Sequence, residues 1–146
     1  MSSLKAGYAK VNITPELGIH VHGYYIPRYA KGILDELEAS ALALELGQTR
    51  VLLISVDNEG IRGEQSYGYR KGIAEATGVP VEHVFLHATH THTGPSIDMP
   101  ELESVVRYAD FLGRRLHYIL NTVTNRYVCK YISYISKFNL YIVLIS

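Results

Sequence analysis

The alternation of apolar and polar residues in the first half of the chain predicts strands and one long loop. Residues 9–13 alternate and predict a strand, whereas residues 16–32 hold glycines and a proline and are typical of a loop. In residues 37–46 leucines alternate with smaller or polar residues, which favours a strand, although the alanine and glutamate content favours a helix. The apolar run at residues 51–56 is typical of a buried strand, and Gly47 between the two runs predicts a hairpin.

The second half of the chain adds helices to this pattern. Residues 67–76 predict a helix that Gly78 closes. The apolar run at residues 84–86 is rich in strand-forming residues and predicts an extended segment that stops at Gly94-Pro95. Residues 100–116 predict a second helix, because a proline suits its first turn and acidic residues suit its positive end. Strands alternating with helices indicate an α/β fold with a mixed sheet and flanking helices.

The composition of the chain changes near residue 110. All 14 acidic residues lie at or before Asp110, and no glycine follows Gly113. Globular domains mix acidic residues, alanine and glycine throughout, so a tail without them is unusual. We therefore divide the chain into a body, residues 1–116, and a Tyr/Ile-rich tail, residues 117–146. The tail is either a β-rich extension or sequence foreign to the domain, and we favour the second interpretation.

Charge and cysteine content exclude some classes of function. The formal net charge is +0 at pH 7, so nothing favours nucleic acid or an anionic membrane as the partner. The single cysteine, Cys129, excludes an internal disulfide and a cysteine-based zinc site. No apolar run reaches the ~20 residues that a transmembrane helix needs, and the N-terminus lacks the apolar region of a secretion signal. We therefore expect a cytoplasmic protein without a transmembrane segment.

A cluster of histidines is the strongest candidate for chemistry. His87, His90 and His92 follow the apolar run of the last predicted strand. In an extended chain, residues two apart point to the same face, with Cα atoms roughly 6.5–7 Å apart. His90 and His92 can therefore meet at one metal ion, at about 2.0–2.1 Å from each nitrogen. They can equally be polar residues on a solvent face, whereas His87 would point to the opposite face and is interpreted as structural.

Further candidates lie in the loops. Asp57 and Glu59 follow a buried strand, where α/β proteins place functional groups. Asp57 can orient an imidazole N–H or simply cap a turn. His20 and His22 form another His-x-His pair, which is either a metal site or solvated. Loop residues that can contact polar or apolar groups of a substrate, or serve as surface and core residues, are Arg28, Arg62, Tyr24, Tyr25 and Tyr29.

The segment Thr89–Pro95, THTHTGP, resembles the THTHSGP signature of the neutral/alkaline, non-lysosomal ceramidase family. The resemblance extends over roughly residues 6–116. Other pieces resemble family segments in the same order, namely Ala9–Pro15, Gly23-Tyr24, Gly32-Ile33, Leu37–Ala39 and Arg50–Asp57. The resemblance implies that this chain is the N-terminal part of a larger α/β hydrolase-type catalytic domain.

The resemblance also implies a chemistry, the zinc-dependent hydrolysis of N-acylsphingosine to a fatty acid and a sphingoid base. The first histidine of the motif binds zinc in the family, and the second holds the substrate near the reacting amide. Carried over, His90 is a zinc ligand and His92 is the catalytic, substrate-contacting residue. Both can equally bind one metal ion. Asp57 is a further substrate-binding candidate, and the expected partner is a small-molecule or lipid N-acyl substrate.

Several features depart from the family pattern. Thr93 replaces the usual serine, and Leu34-Asp35 stands where many members have a histidine. The family's remaining zinc ligands, a histidine, a glutamate and a tyrosine, lie downstream of the motif, beyond the family-like part of this chain. We therefore expect a truncated hydrolase that is inactive alone. The alternative is a non-catalytic α/β remnant or binding domain whose histidines are incidental.

Overall fold

A mixed four-stranded sheet organises the protein. The computed structural model describes residues 4–125. The described elements, in chain order, are β1 (Lys5–Asn12), β2 (His20–Val21), β3 (Arg28–Tyr29), β4 (Glu38–Leu46), β5 (Thr49–Val56), α1 (Gly63–Thr77), β6 (Val84–Ala88) and α2 (Glu103–Asn125). The sheet has the order β1-β4-β5-β6; its first two pairings are antiparallel, and β5 pairs with β6 in parallel. The predicted α/β class with a mixed sheet and flanking helices is confirmed.

Both helices cover one face of the sheet. Helix α2 packs on β1 and β4, and α1 packs on β6 and α2. Strand β4 presents Ala39, Ala41 and Ala43 to the core, and all three are buried. The alternation that favoured a strand over a helix in residues 37–46 is thus confirmed, because small residues face the core and larger ones face away. The hairpin turn at Gly47, whose φ is +61°, is confirmed as well.

Helix α1 connects the parallel strands β5 and β6. It ends at Gly78, whose φ of +69° is the left-handed conformation that glycine adopts without steric cost. The backbone N–H of Gly78 donates to the carbonyl of Ala74 at 2.9 Å. The predicted glycine cap is confirmed, and the helix begins four residues before the predicted start at Tyr67.

Helix α2 is longer than predicted. It runs from Glu103 to Asn125 instead of ending at Leu116. Its buried residues past the predicted boundary, Ile119, Leu120 and Val123, belong to the same core as the sheet. Residues 117–123 therefore pack with the body, because the helical apolar period continues across residue 116. The rest of the predicted tail, residues 126–146, lies outside the described residues.

The prediction of an extended segment from residue 84 to Gly94-Pro95 was wrong. Strand β6 ends at Ala88. Two residues later His90 has a φ of +62°, a left-handed conformation incompatible with a strand. The chain therefore turns within the histidine motif, and the same-face argument for two residues in a strand does not apply to His90 and His92.

The second face of the sheet carries an apolar row. Tyr8, Leu42, Leu53 and Phe85 are paired in register across β1, β4, β5 and β6. Because side chains alternate along a strand, they point away from the helices. Tyr8, Leu53 and Phe85 are exposed. Among the described residues, neither helix has the length and apolar character that a bilayer crossing requires.

Candidate functional site

The site forms where the loops that follow β5 and β6 run side by side. The backbone N–H of Thr89 donates to the carbonyl of Val56 at 2.9 Å, and that of Thr91 donates to the carbonyl of Asn58 at 3.3 Å. The carboxyl ends of neighbouring parallel strands are the usual place for functional groups in α/β folds. The parallel pairing therefore brings the predicted candidates after residue 56 and those after residue 88 to one edge of the sheet.

The imidazole rings of His90 and His92 meet. Their Nε2 atoms are 3.2 Å apart, and the rings are nearly perpendicular at 86°. Two nitrogens bound to one tetrahedral zinc, each at about 2.0–2.1 Å, are roughly 3.3 Å apart. The separation therefore fits a shared metal ion. It also fits a direct N–H···N hydrogen bond between two neutral rings.

The other nitrogen of the His90 ring is occupied by the backbone. His90 Nδ1 lies 2.8 Å from the carbonyl oxygen of Glu59. Because a carbonyl only accepts, Nδ1 carries the proton and the lone pair stays on Nε2, the atom that faces His92. A histidine whose second nitrogen donates to a carbonyl is typical of metal sites. The same bond helps to offset the left-handed backbone of His90, a conformation that costs roughly 1–3 kcal/mol.

The loop between β2 and β3 lies against one side of the His92 ring, which remains exposed. Gly23, with a φ of +92°, packs its backbone against the imidazole. The ring of Tyr24 meets that of His92 edge-on with centroids 6.5 Å apart. The guanidinium of Arg28 lies 4.0 Å above the Tyr24 ring, which is a cation–π arrangement. Arg28 and Tyr24 are thus brought to the site, although sequence alone did not separate this role from an ordinary surface position.

A charged network lies behind the two histidines. The Glu59 carboxylate is buried, with 7% of its side chain exposed, and accepts from Arg62 at 2.5 Å. Arg62 also donates to Asp98 at 2.8 Å. The ring of His22 lies between the two carboxylates, with nitrogens 3.7 Å from Glu59 and 3.9 Å from Asp98. His22, Glu59 and Arg62 were candidates from the sequence, whereas Asp98 was missed.

No sequence motif marks Asp98 as a functional residue. The one available signal is its position shortly after Gly94-Pro95. Burial acts to raise the pKa of this carboxyl, but the Ser96 hydroxyl that donates to it and the nearby His22 and Arg62 leave the pKa below its ordinary value. Asp98 is therefore anionic at neutral pH and completes the network.

Asp57 holds the strand ends together. One carboxylate oxygen accepts from the backbone N–H of Glu38 at 3.0 Å, and the other accepts from the Thr89 hydroxyl at 3.2 Å. Both bonds cross to residues that are distant along the chain, so they are structural contacts between strand ends and not the local bonds of a turn cap. Asp57 also lines a groove of about 940 Å³ beside Thr91 and Thr93, so its substrate-binding role stays a prediction.

Two further histidines that the sequence analysis considered, His20 and His87, lie outside the pair formed by His90 and His92. His20 is buried and contacts the rings of His22 and Tyr29 edge-on. His87 is exposed on the face of the sheet that carries Phe85. Within residues 4–125, no group of three or more histidine, cysteine or acidic residues has the arrangement of a complete metal site. The roles of His90 and His92 as metal ligands stay predictions.

Comparison with known proteins supports the expected resemblance at the level of the fold. No family model and no curated protein sequence matches the chain. Among solved structures, neutral ceramidase from Pseudomonas aeruginosa is similar with a TM-score of 0.71 and 22% sequence identity, covering 86% of this chain and 22% of that chain. A ceramidase complexed with C2 is similar with a TM-score of 0.69 and 20% identity, over 86% of this chain and 22% of that one. The expected resemblance to ceramidases is confirmed as a shared fold, and the chain spans about a fifth of the length of these structures.

Proposed function

We propose that this chain, which shares its fold with part of two ceramidases, is the portion of a ceramidase-like hydrolase that presents His90 and His92 to the amide bond of an N-acyl lipid. The observation that carries this proposal is the 3.2 Å approach of the two Nε2 atoms. The hydrogen bond from His90 Nδ1 to the Glu59 carbonyl supports it, because that bond directs the lone pair of Nε2 towards His92.

Zinc is the metal that fits these donors. His90 Nε2 would hold it, and His92 Nε2 would either be a second ligand or donate to the carbonyl oxygen of the substrate. When bound, zinc makes its water acidic enough to act as a nucleophile near neutral pH and polarises a carbonyl group. A hydrogen bond from His92 would stabilise the negative charge that develops on the carbonyl oxygen.

The proposed substrate class is supported by a groove that Thr91 and Thr93, the neighbours of His92 in sequence, help to line. The groove beside Asp57, Thr91 and Thr93 is also lined by apolar loop residues such as Ile33 and Leu34. An alkyl chain would gain about 25 cal/mol for each Å² of apolar surface that it buries there. The hydroxyls of Thr91 and Thr93, which hydrogen-bond to each other at 3.2 Å, can bind the polar amide. An N-acyl lipid combines these two chemistries.

The described part of the chain supplies two metal-ligating side chains at this point, whereas catalytic zinc sites have three protein ligands. We therefore propose that the chain alone binds zinc weakly and does not turn over substrate. A second candidate function is a non-catalytic α/β domain in which His90 and His92 hydrogen-bond to each other. The 3.2 Å separation of the two Nε2 atoms is also that of a direct hydrogen bond and favours this candidate.

Zinc titration by calorimetry separates the two candidates. We expect the wild-type chain to bind zinc and His90→Ala to lose that binding. The control His87→Ala should retain it, since His87 is exposed on the face of β6 that carries Phe85. Hydrolysis of a fluorogenic N-acylsphingosine by the same chain should be undetectable. Equal zinc binding by the wild-type chain and by His90→Ala would contradict the hydrolase proposal and leave the non-catalytic domain.

A further inference from the structure

A positively charged side chain beside the two histidines has no role in the proposed chemistry. The guanidinium of Arg28 lies 4.0 Å above the ring of Tyr24, and that ring meets the imidazole of His92 with centroids 6.5 Å apart. Arg28 also lines the groove to which Thr91 and Thr93 contribute. The guanidinium is therefore one aromatic ring away from His92, in the groove that we assign to the substrate.

The backbone fixes this position relative to the histidine motif. Arg28 on β3 is paired with Val21 on β2, and Val21 forms a further antiparallel bridge with Pro95. The backbone N–H of His22 donates to the carbonyl of Gly94 at 3.2 Å. Neighbouring strands lie about 4.7–4.9 Å apart, so the hairpin holds Arg28 two strand spacings from the end of the THTHTGP segment.

The guanidinium has donors available for an anion. Within residues 4–125 the Arg28 side chain makes no ion pair and no hydrogen bond. A cation held above an aromatic ring keeps N–H donors that point away from the ring. The contact with Tyr24 also restrains a flexible side chain, so less conformational entropy is lost when a ligand binds. Arginine donors match a carboxylate, which a guanidinium binds through two parallel hydrogen bonds.

The groove carries charges of both signs. Lys31 follows β3 and lines the groove with Arg28, whereas the acidic lining residues are Asp35, Glu36 and Asp57. The guanidinium of Arg28 forms no ion pair with any of the three. Both carboxylate oxygens of Asp57 are already engaged, one by a backbone N–H and the other by a threonine hydroxyl. Arg28 is the charged group of this lining that a ring contact joins to the histidine pair.

We propose that Arg28 is a specificity-determining residue that binds a carboxylate on the head group of the N-acyl substrate. The preferred substrate is then an N-acyl amino acid and not a neutral N-acyl lipid. The acyl chain lies in the apolar part of the groove, the amide reaches the threonine hydroxyls, and the carboxylate reaches Arg28 a few bonds further on. The substrate assignment rests on the proposed function, whereas the binding of a carboxylate at Arg28 does not.

Ligand binding to the full, metal-free chain tests this inference. N-decanoylglycine carries the carboxylate, and N-decanoylethanolamine has the same acyl amide with a neutral head group. Both are titrated by calorimetry below their micelle concentrations. We expect the chain to bind the acid roughly 10-fold more tightly, since a charge-assisted hydrogen bond changes affinity by about that factor. Added salt should reduce the difference. Equal affinity for the two ligands, or no binding of N-decanoylglycine, would overturn the inference.

Variants assign the preference to one side chain. Arg28→Gln should remove the preference and leave the affinity for the neutral amide unchanged, and a retained preference would overturn the inference. Arg28→Lys keeps the charge and loses the planar fork, so it should keep only part of the preference. Arg28 is exposed, so neither change disturbs the core.

Lys31→Gln is the matched control, because Lys31 is an exposed cation of the same groove. We expect this variant to keep most of the preference for N-decanoylglycine. A loss as large as that in Arg28→Gln would show a diffuse attraction by the positive charges of the groove, and it would contradict a site at Arg28.

Decanoate distinguishes two sources of the carboxylate. The released fatty acid carries the same group without the amide. We expect Arg28→Gln to weaken the binding of decanoate less than that of N-decanoylglycine, because the amide and the threonine hydroxyls align the head group with Arg28. An equal loss for both ligands would assign Arg28 to the product acid and overturn the head-group assignment.

The zinc titration of His90→Ala keeps this inference separate from the proposed function. If the wild-type chain binds no zinc but its preference for N-decanoylglycine depends on Arg28, the proposed function fails and the carboxylate site stands. If zinc binding depends on His90 but the preference is absent or unchanged in Arg28→Gln, the carboxylate site fails and the proposed function stands.

Discussion

The backbone of Gly23 packs directly against the imidazole of His92. A Cβ atom at position 23 would lie 2.8 Å from Cγ of His92, closer than real Cβ contacts allow. The φ of Gly23, +92°, is also one that side-chain-bearing residues rarely adopt. The loop between β2 and β3 can therefore lie on His92 only because residue 23 is glycine.

Gly23→Ala should displace the His92 ring and weaken zinc binding. Gly18→Ala is a matched control, because Gly18 has a similar φ of +86° but no atom within 4 Å of the point where a Cβ would stand. We expect both variants to lose about 1 kcal/mol or more of unfolding free energy from backbone strain. Only Gly23→Ala should alter the ring signals of His92 in NMR spectra. Equal effects of the two variants on those signals would contradict the close contact.

The stability of the helix pair should fall at high pH. The hydroxyl of Tyr69 on α1 donates to the carbonyl of Ala109 on α2 at 2.8 Å. Burial, with a smaller contribution from Asp110, raises the pKa of Tyr69 from 10.0 to about 12. Because the folded protein holds this proton more tightly than the unfolded chain, the contribution is complete below pH 10 and is lost as the pH rises towards 12.

Tyr69→Phe tests this dependence. A shift of this size corresponds to roughly 2–3 kcal/mol of unfolding free energy, measured by urea denaturation on both sides of the interval. The variant should lose about 1 kcal/mol at neutral pH from the missing hydrogen bond, and its stability should decline less between pH 10 and 12. An identical decline in both proteins would show that other groups cause it.

The continuation of α2 past residue 116 gives a prediction on the extent of the folded body. Leu120→Ala should cost about 2–5 kcal/mol of unfolding free energy, because the side chain is buried in the main core. Tyr118→Ala, at a position that is 61% exposed, should cost less than about 0.5 kcal/mol. Chemical denaturation measures both. A negligible cost for Leu120→Ala would show that the body ends near residue 116, as the sequence boundary proposed.

The apolar row on the second face of the sheet should promote self-association of the chain. Phe85 is 55% exposed and lies at the edge strand β6, next to Leu53 in register. Contiguous exposed apolar patches are typical of interaction or aggregation surfaces. Phe85→Thr should lower the self-association of the chain, which sedimentation measures. Threonine keeps the strand propensity and removes the aromatic ring. Tyr67→Thr, at an exposed position of α1, is the control and should leave association unchanged.

The local pattern was sufficient for most of the fold. The alternation in residues 37–46 and the glycine at position 47 predicted the β4–β5 hairpin, and Gly78 predicted the end of α1. These features depend on neighbours in sequence, so period and turn chemistry are enough to detect them. The end of β6 was not predictable in this way, since the left-handed His90 that follows it is accompanied by a side-chain bond to the backbone of Glu59, 31 residues earlier.

In the candidate site, too, some features follow from the local sequence and others from contacts between distant segments. The spacing of His90 and His92 indicated that their rings could meet, but the expected route, two side chains on one face of a strand, was wrong. The rings meet across a turn that packing against Gly23 and the loop after β5 holds in place.

The sequence by itself therefore predicted the β4–β5 hairpin, the two helices without their exact bounds, the α/β class and the residue types at the site. The tertiary structure decided that Glu59 and Asp98 lie on either side of His22, and that Arg62 joins the two carboxylates. Those partners come from segments that are distant along the chain. Only the parallel pairing of β5 with β6 and the return of the loop through Gly94 bring them together, and a local pattern does not encode either event.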